Sequence, residues 1–169
     1  FAEECDDGNV ANNDGCSATG QLEVPNEAKP NGTSAEADAS ALQIAGDRVI
    51  RGSIGPATDL DRYKVTVAAQ TVVRFETFAP LPGDCDSTTT TLRLFDSAGV
   101  SIATSTTDGI ASCSAIVMPL AAGTYYIQVE ETGTNALIAK YFLEADFQTD
   151  KGMEAEAANT SGGNDLFSS

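Results

Sequence analysis

The stretch TLRLFDSAGVSIATSTTDGIASCSAIVMPLAAGTYYIQV, residues 91–129, decides the fold. Leu92 and Leu94 lie on either side of a polar residue, and Ile127 and Val129 repeat that arrangement near the other end. An Asp-Ser-Ala-Gly turn ends the first apolar run. Alternation with a period of two, broken about every ten residues by Asp, Gly and Ser, is typical of short antiparallel strands. The stretch therefore predicts part of a β-sandwich.

The same alternation continues on both sides of this stretch and predicts eight strands in all. Each strand has one apolar face, so two sheets must pack face to face to bury those faces. We therefore predict an all-β fold, a two-sheet antiparallel β-sandwich of jelly-roll type. The predicted strands are Arg48–Ile54, Arg62–Ala68, Thr71–Phe78, Thr91–Phe95, Val100–Thr104, Ser114–Leu120, Thr124–Glu130 and Leu137–Phe147.

The central block also resembles a known family, the bacterial pre-peptidase C-terminal domain. That family has a leucine strand, an aspartate-glycine turn and a closing Ala-Gly-Thr-Tyr-Tyr strand. Here these pieces are Leu92 to Phe95, Asp96 to Gly99 and Ala122 to Tyr126. The resemblance covers most of the chain. It implies a calcium-binding β-sandwich related to domains of bacterial collagenases, and an accessory role beside a secreted protease.

The first 23 residues, FAEECDDGNVANNDGCSATGQLE, contain almost nothing that could build a core. Cys5 and Cys16 bracket a loop of Asp, Asn and Gly. The segment resembles the short cysteine-rich repeat of secreted myxobacterial proteins, with its Cys-Asp-Asp-Gly-Asn start and Asp-Gly-Cys-Ser-Ala-Thr finish. Gly20 stands where that repeat has a further cysteine. The resemblance implies a small, disulfide-clasped N-terminal module on an exported protein.

The chain divides into four parts by composition. Residues 1–23 form the cysteine-rich module, 24–40 a linker or lead-in, 41–149 the sandwich, and 150–169 a polar tail. One helical turn is expected over Ala35 to Ala41 in the lead-in. The tail repeats the Glu, Ala and Thr spacing of the lead-in, so it is either plain polar sequence or the start of a further repeat.

The charge is strongly negative, with a net value of −16. Residues 1–40 carry nine acids and one base, so half of the excess precedes the predicted strands. Such a field repels phosphate backbones and anionic lipids, which disfavours nucleic-acid and membrane-surface roles. No apolar run approaches the roughly 20 residues of a membrane helix. The surplus acids serve either solubility or Ca²⁺, which prefers oxygen ligands.

The sequence contains no histidine. This excludes Ser-His and Cys-His nucleophile pairs and the His-Glu-x-x-His zinc helix. Gly-rich phosphate loops are absent too, and no carboxylate pair sits in an apolar setting. We therefore predict that the chain is not an enzyme. Carbohydrate binding is disfavoured as well, because there is no Trp and only Tyr126 is expected to point outward.

The four cysteines form two local pairs, Cys5/Cys16 and Cys85/Cys113. An even count in an exported-looking chain favours two disulfides. A zinc site with four thiolates is the alternative, although no Cys-x-x-Cys spacing is present.

Calcium ligands follow from the family resemblance. In that family, acids and an asparagine of the lead-in meet two aspartates before the first long strand. The matching oxygen ligands of a calcium site are Glu27, Asn31, Asp59 and Asp61. Lys29 departs from the family pattern and would weaken the site by repulsion of the ion. The alternative is an ordinary solvated turn. A second, weaker set in the first module comprises Asp6, Asp7, Asn9 and Asp14.

These features together predict a non-catalytic accessory module of a secreted or cell-surface bacterial protein. Its partners would be other domains of the parent protein or neighbouring copies of itself. The alternative is a structural subunit that self-assembles into an extracellular fibre or surface layer. Polar, extended ends on a rigid sandwich are what a neighbouring subunit could capture by strand addition.

Overall fold

A computed structural model describes residues 24–79, 81, 84, 89–109 and 113–148. Within these residues the chain forms one short helix and eight strands, as predicted. Six strands begin or end one or two residues away from the predicted positions, and two match at both ends. The elements are α1 Ser34–Ala39, β1 Arg48–Ile54, β2 Leu60–Val67, β3 Thr71–Phe78, β4 Thr90–Asp96, β5 Ser101–Ser105, β6 Ala115–Leu120, β7 Gly123–Glu131 and β8 Ile138–Gln148.

The strands form two antiparallel sheets of four, which confirms the predicted sandwich. The first sheet has the order β1-β8-β3-β6 and the second has the order β2-β7-β4-β5. In the second sheet, Leu94 of β4 lies opposite Ile127 of β7, and Leu92 lies opposite Val129. All four of these side chains are fully buried. The apolar alternation in the opening stretch therefore marks the face that packs against the other sheet.

The first regular strand begins only at Arg48, so the lead-in extends from residue 24 to residue 47, and it lies along one side of the sandwich. Asn26 forms a parallel bridge with Arg51 beside β1, and Ile44 forms one with Val65 beside β2. These are the outer strands of the two sheets on that side. The lead-in thus gives hydrogen-bond partners to two strand edges that would otherwise be open to pairing with another chain.

Helix α1 begins at a capping box in the lead-in. The Thr33 side chain accepts a hydrogen bond from the Glu36 backbone, and the Glu36 carboxylate accepts one from the Thr33 backbone. The helix lies on the outer face of the second sheet, where the Tyr126 hydroxyl donates to Asp38 at 3.0 Å. Tyr126 therefore lies on the outer face as predicted, but it is only 6% exposed because α1 covers it.

No helix in the described part of the chain is long and apolar enough to cross a membrane.

Candidate functional site

The four predicted calcium ligands converge at one end of the sandwich, on the side that the lead-in covers. Glu27 and Asn31 belong to the lead-in, Asp59 to the loop between β1 and β2, and Asp61 to β2. Asp61 is fully buried and Asn31 is 4% exposed. Two residues of the lead-in and two residues at or just before the start of β2 therefore meet here.

The Lys29 ammonium lies among these carboxylates. Its Nζ donates a 3.0 Å hydrogen bond to Asp61 Oδ1 and a second hydrogen bond to Asp59 Oδ2. The backbone carbonyl of Ser53 in β1 accepts a third, at 3.1 Å. Glu27 Oε1 lies 3.6 Å from the same nitrogen. Partial burial alone would lower the pKa of Lys29, but the bonds to Asp59 and Asp61 raise it above its ordinary value.

Two tyrosines hold Asp61 from inside the core. The Tyr141 hydroxyl donates a 2.8 Å hydrogen bond to Asp61 Oδ2, and the Tyr63 and Tyr141 hydroxyls lie 2.7 Å apart. Since Tyr141 donates to the carboxylate, Tyr63 donates to Tyr141. Burial, followed by the neighbouring Glu27, raises the pKa of Asp61 to about 7. The hydrogen bonds from Lys29 and Tyr141 lower the pKa of Asp61 and offset this rise only in part.

Glu27 ties the lead-in to β1. Its Oε1 accepts hydrogen bonds from the Ser53 amide at 2.9 Å and the Ser53 hydroxyl at 2.8 Å. Asn31 Nδ2 lies 3.4 Å from Glu27 Oε2. The backbone carbonyl oxygen of Asn31 accepts a 2.6 Å hydrogen bond from the backbone amide of Arg62. These contacts position both lead-in residues without any added ion.

The ligand set has the right chemistry for Ca²⁺, but with Lys29 in place it does not fit one. Calcium needs six to eight oxygen ligands at about 2.3–2.6 Å. Here the oxygens of Asp59 and Asp61 that face the centre of the cluster already accept from the ammonium. A divalent cation a few ångströms from a lysine ammonium is strongly repelled. The described residues contain no group of three or more metal-ligating side chains arranged to hold an ion. Bound calcium stays a prediction that this structure does not test.

The other predicted site residues fall mostly outside the described part of the chain. Cys5, Cys16 and the weaker calcium set Asp6, Asp7, Asn9 and Asp14 all lie there, and so does Cys85. Cys113 is described and is 1% exposed, and its Sγ lies 3.7 Å from the carbonyl oxygen of Asp84. Asp84 precedes Cys85 in the chain, so the location agrees with the predicted Cys85/Cys113 pair. Both disulfides remain predictions.

Sequence reasoning missed the supporting residues Ser53 and Tyr141. Ser53 acts partly through its backbone, which carries no sequence signal. Alternation predicts only that Tyr141 of β8 points inward. It does not show that the Tyr141 hydroxyl contacts a residue of β2. The signal that could have found it is a buried hydroxyl, which needs a hydrogen-bond partner.

Comparison with solved structures supports the fold. The chain is similar to the crystal structure of the pre-peptidase C-terminal domain of a collagenase from Bacillus anthracis, with a TM-score of 0.51 and 19% sequence identity. The alignment covers 71% of this chain and all of that domain. The resemblance in the sequence is therefore confirmed at the level of the fold. The myxobacterial-type repeat lies outside the described residues and stays a prediction.

A second solved structure is a periplasmic inhibitor of g-type lysozyme from Aeromonas hydrophila. It has 15% identity and a TM-score of 0.47, over 63% of this chain and 96% of that protein. No protein-family model matches the sequence, and no curated protein matches it.

Proposed function

We propose that the chain is a non-catalytic accessory module of a bacterial protein that works outside the cytoplasm, in the extracellular space or the cell envelope. The observation that carries the proposal is the fold match, which extends over the full length of a collagenase's pre-peptidase C-terminal domain. The absence of histidine agrees with a role without catalysis.

The structure suggests how such a module would be built. The lead-in pairs with both sheets on one side, through Asn26 with β1 and Ile44 with β2. A preceding domain would therefore connect to a segment that is fixed on the sandwich rather than to a free linker. The module's role is to hold or stabilise a larger assembly through this fixed connection.

The test is localisation together with the size of the native polypeptide. An antibody raised against the purified chain should detect its antigen in the medium or the envelope fraction of the bacterium that makes it. The band should be larger than 17.4 kDa. Mass spectrometry of that band should find a further domain. Antigen confined to the cytoplasm would refute the proposal.

A second candidate, the self-assembling subunit, is favoured by the side of the sandwich opposite the lead-in. There β5 and β6 are the outer strands of their sheets. Three exposed apolar side chains lie in or next to them: Val100 at 58%, Ile102 at 39% and Val117 at 56%. β5 contains neither Lys nor Pro, and an outer strand with exposed apolar residues and without those residues is prone to edge-to-edge pairing.

Size-exclusion chromatography and negative-stain microscopy separate the two candidates. Filaments that disappear in Ile102→Lys but persist in Leu137→Lys would favour the subunit. Leu137 is a fair control because it is 70% exposed and lies outside β5 and β6. A monodisperse monomer would favour the accessory module.

A further inference from the structure

The Lys29 ammonium connects the lead-in to three acceptors that lie 24, 30 and 32 residues further along the chain. Its hydrogen-bond acceptors belong to β1, to the loop between β1 and β2, and to β2, while Lys29 itself belongs to the lead-in. An ammonium has three N–H donors, and the three acceptors, Ser53 O, Asp59 Oδ2 and Asp61 Oδ1, use all of them. The nitrogen thus joins its neighbours as a bound ion would.

The charges around this nitrogen explain why a cation belongs there. Glu27, Asp59 and Asp61 supply three carboxylates, and Asp61 is fully buried. A buried carboxylate is costly unless a positive charge or hydrogen bonds compensate it. Without Lys29, the described residues place no other cation of the chain within 4 Å of Asp59 or Asp61.

We propose that the Lys29 ammonium is the structural cation of this cluster, and that removing it opens a divalent-cation site among Glu27, Asp59 and Asp61. In the native chain the amine holds the lead-in on the sandwich, so this connection needs no metal. The native module then keeps its structure whether calcium is scarce or abundant. A chain without the amine becomes calcium-dependent.

The first test uses the full native chain. Thermal unfolding is measured in EGTA, in millimolar CaCl₂ and in NaCl of matched ionic strength. The midpoint should be the same in all three. Because calcium could also bind the acids of residues 1–23, an Asp59→Asn/Asp61→Asn variant is measured alongside. A calcium stabilisation that the native chain shows and this variant lacks would overturn the proposal, because the ion would then compete successfully with the lysine.

The second test removes the amine. Lys29→Ala should melt lower than the native chain in EGTA, and millimolar Ca²⁺ should raise its midpoint by about 5 °C or more, since an ion that binds only the folded state stabilises it. Isothermal titration should show one binding event that the native chain lacks. Adding Asp59→Asn/Asp61→Asn to Lys29→Ala should abolish that event.

Lys64→Ala is the matched control. Lys64 pairs with Asp38 at 3.1 Å, away from the cluster, so its loss should not make the chain respond to calcium. If Lys29→Ala does not fold in EGTA, refolding in Ca²⁺ replaces the melt, and recovery in Ca²⁺ alone supports the site. Lys29→Ala that gains no stability from Ca²⁺, or that fails to fold in both buffers, overturns it.

Discussion

The Tyr141 hydroxyl donates a 2.8 Å hydrogen bond to Asp61 Oδ2, from one sheet of the sandwich to the other. Tyr141 belongs to β8 of the first sheet and Asp61 to β2 of the second. Both side chains are fully buried, so water cannot replace the bond. Apolar packing is nondirectional, and this contact adds a directed connection between the two layers. Through Asp61 it also connects the core to the Lys29 cluster.

Tyr141→Phe should destabilise the protein by about 1–3 kcal/mol, because it leaves a buried carboxylate oxygen without its donor. Chemical denaturation measures the loss. Tyr125→Phe is the control, since the Tyr125 hydroxyl donates to the Ala121 carbonyl at an exposed position and should cost less. Equal losses of stability in the two variants would show that the hydrogen bond to Asp61 contributes no more than an exposed one.

Gly52 of β1 leaves room for the same tyrosine. A Cβ at this position would lie 2.3–2.7 Å from ring atoms of Tyr141. Gly52→Ala should therefore force the ring to move and cost about 1–3 kcal/mol. It should also reduce the effect of a subsequent Tyr141→Phe, because the two changes act on one contact.

Gly46→Ala provides the control for this variant, since a Cβ there meets nothing within 4 Å. Gly46→Ala should leave the free energy of unfolding unchanged or raise it slightly, because alanine reduces the conformational freedom of the unfolded chain alone. A Gly52→Ala protein as stable as Gly46→Ala would contradict the close packing of Tyr141 against β1.

The sequence was sufficient for the sandwich because strands such as β1 and β2 alternate between buried and more exposed residues along most of their length. It was less informative where a side chain on the outer face is covered. Glu76 alternates as an outward residue of β3, yet it is fully buried. What covers it depends on the tertiary structure, which alternation within one strand does not encode.

The cluster of predicted calcium ligands shows the same limit. The four ligand positions could be transferred from the family, and they do converge. The position of the Lys29 ammonium could not be predicted in this way, because a lysine side chain has many rotamers and only the folded lead-in selects one. The sequence predicted that Lys29 would repel the ion, and the structure adds that the amine is itself bonded to two of the carboxylates.

The buried Glu76 carboxylate forms an ion pair with Arg74, two residues away on β3. Arg74→Ala should destabilise the protein by about 1–3 kcal/mol, because it removes the arginine cation from a carboxylate that is fully buried. Arg93→Ala is the matched control. Arg93 pairs with Glu130 at 2.8 Å, but its side chain is 41% exposed, so its loss should cost about 0–1 kcal/mol.

The double variant Arg74→Ala/Glu76→Gln separates charge from packing. Neutralising Glu76 should recover part of the loss, since an amide is less costly to bury than a carboxylate that has lost its arginine. Urea midpoints of the three variants measure these differences. No recovery in the double variant would assign the loss to the packing of the arginine stem instead.

Asp38 of α1 gives the stability a dependence on pH. Hydrogen bonds from Lys64, first, and from the Tyr126 hydroxyl lower the pKa of Asp38 below its ordinary value. The folded state therefore binds this proton less readily than the unfolded state. The stabilisation of the folded state by charged Asp38 is present above the ordinary pKa of 3.8. It is lost as the pH falls through the lower pKa of the folded state. Asp38→Asn should be less stable than the native chain at about pH 7, and the difference should be smaller at about pH 3, below the ordinary pKa of Asp38. Urea midpoints at both pH values measure the difference, and in a Lys64→Met background it should shrink. A difference that stays the same at the lower pH would mean that the substitution disturbs the helix contact itself rather than removing a charge.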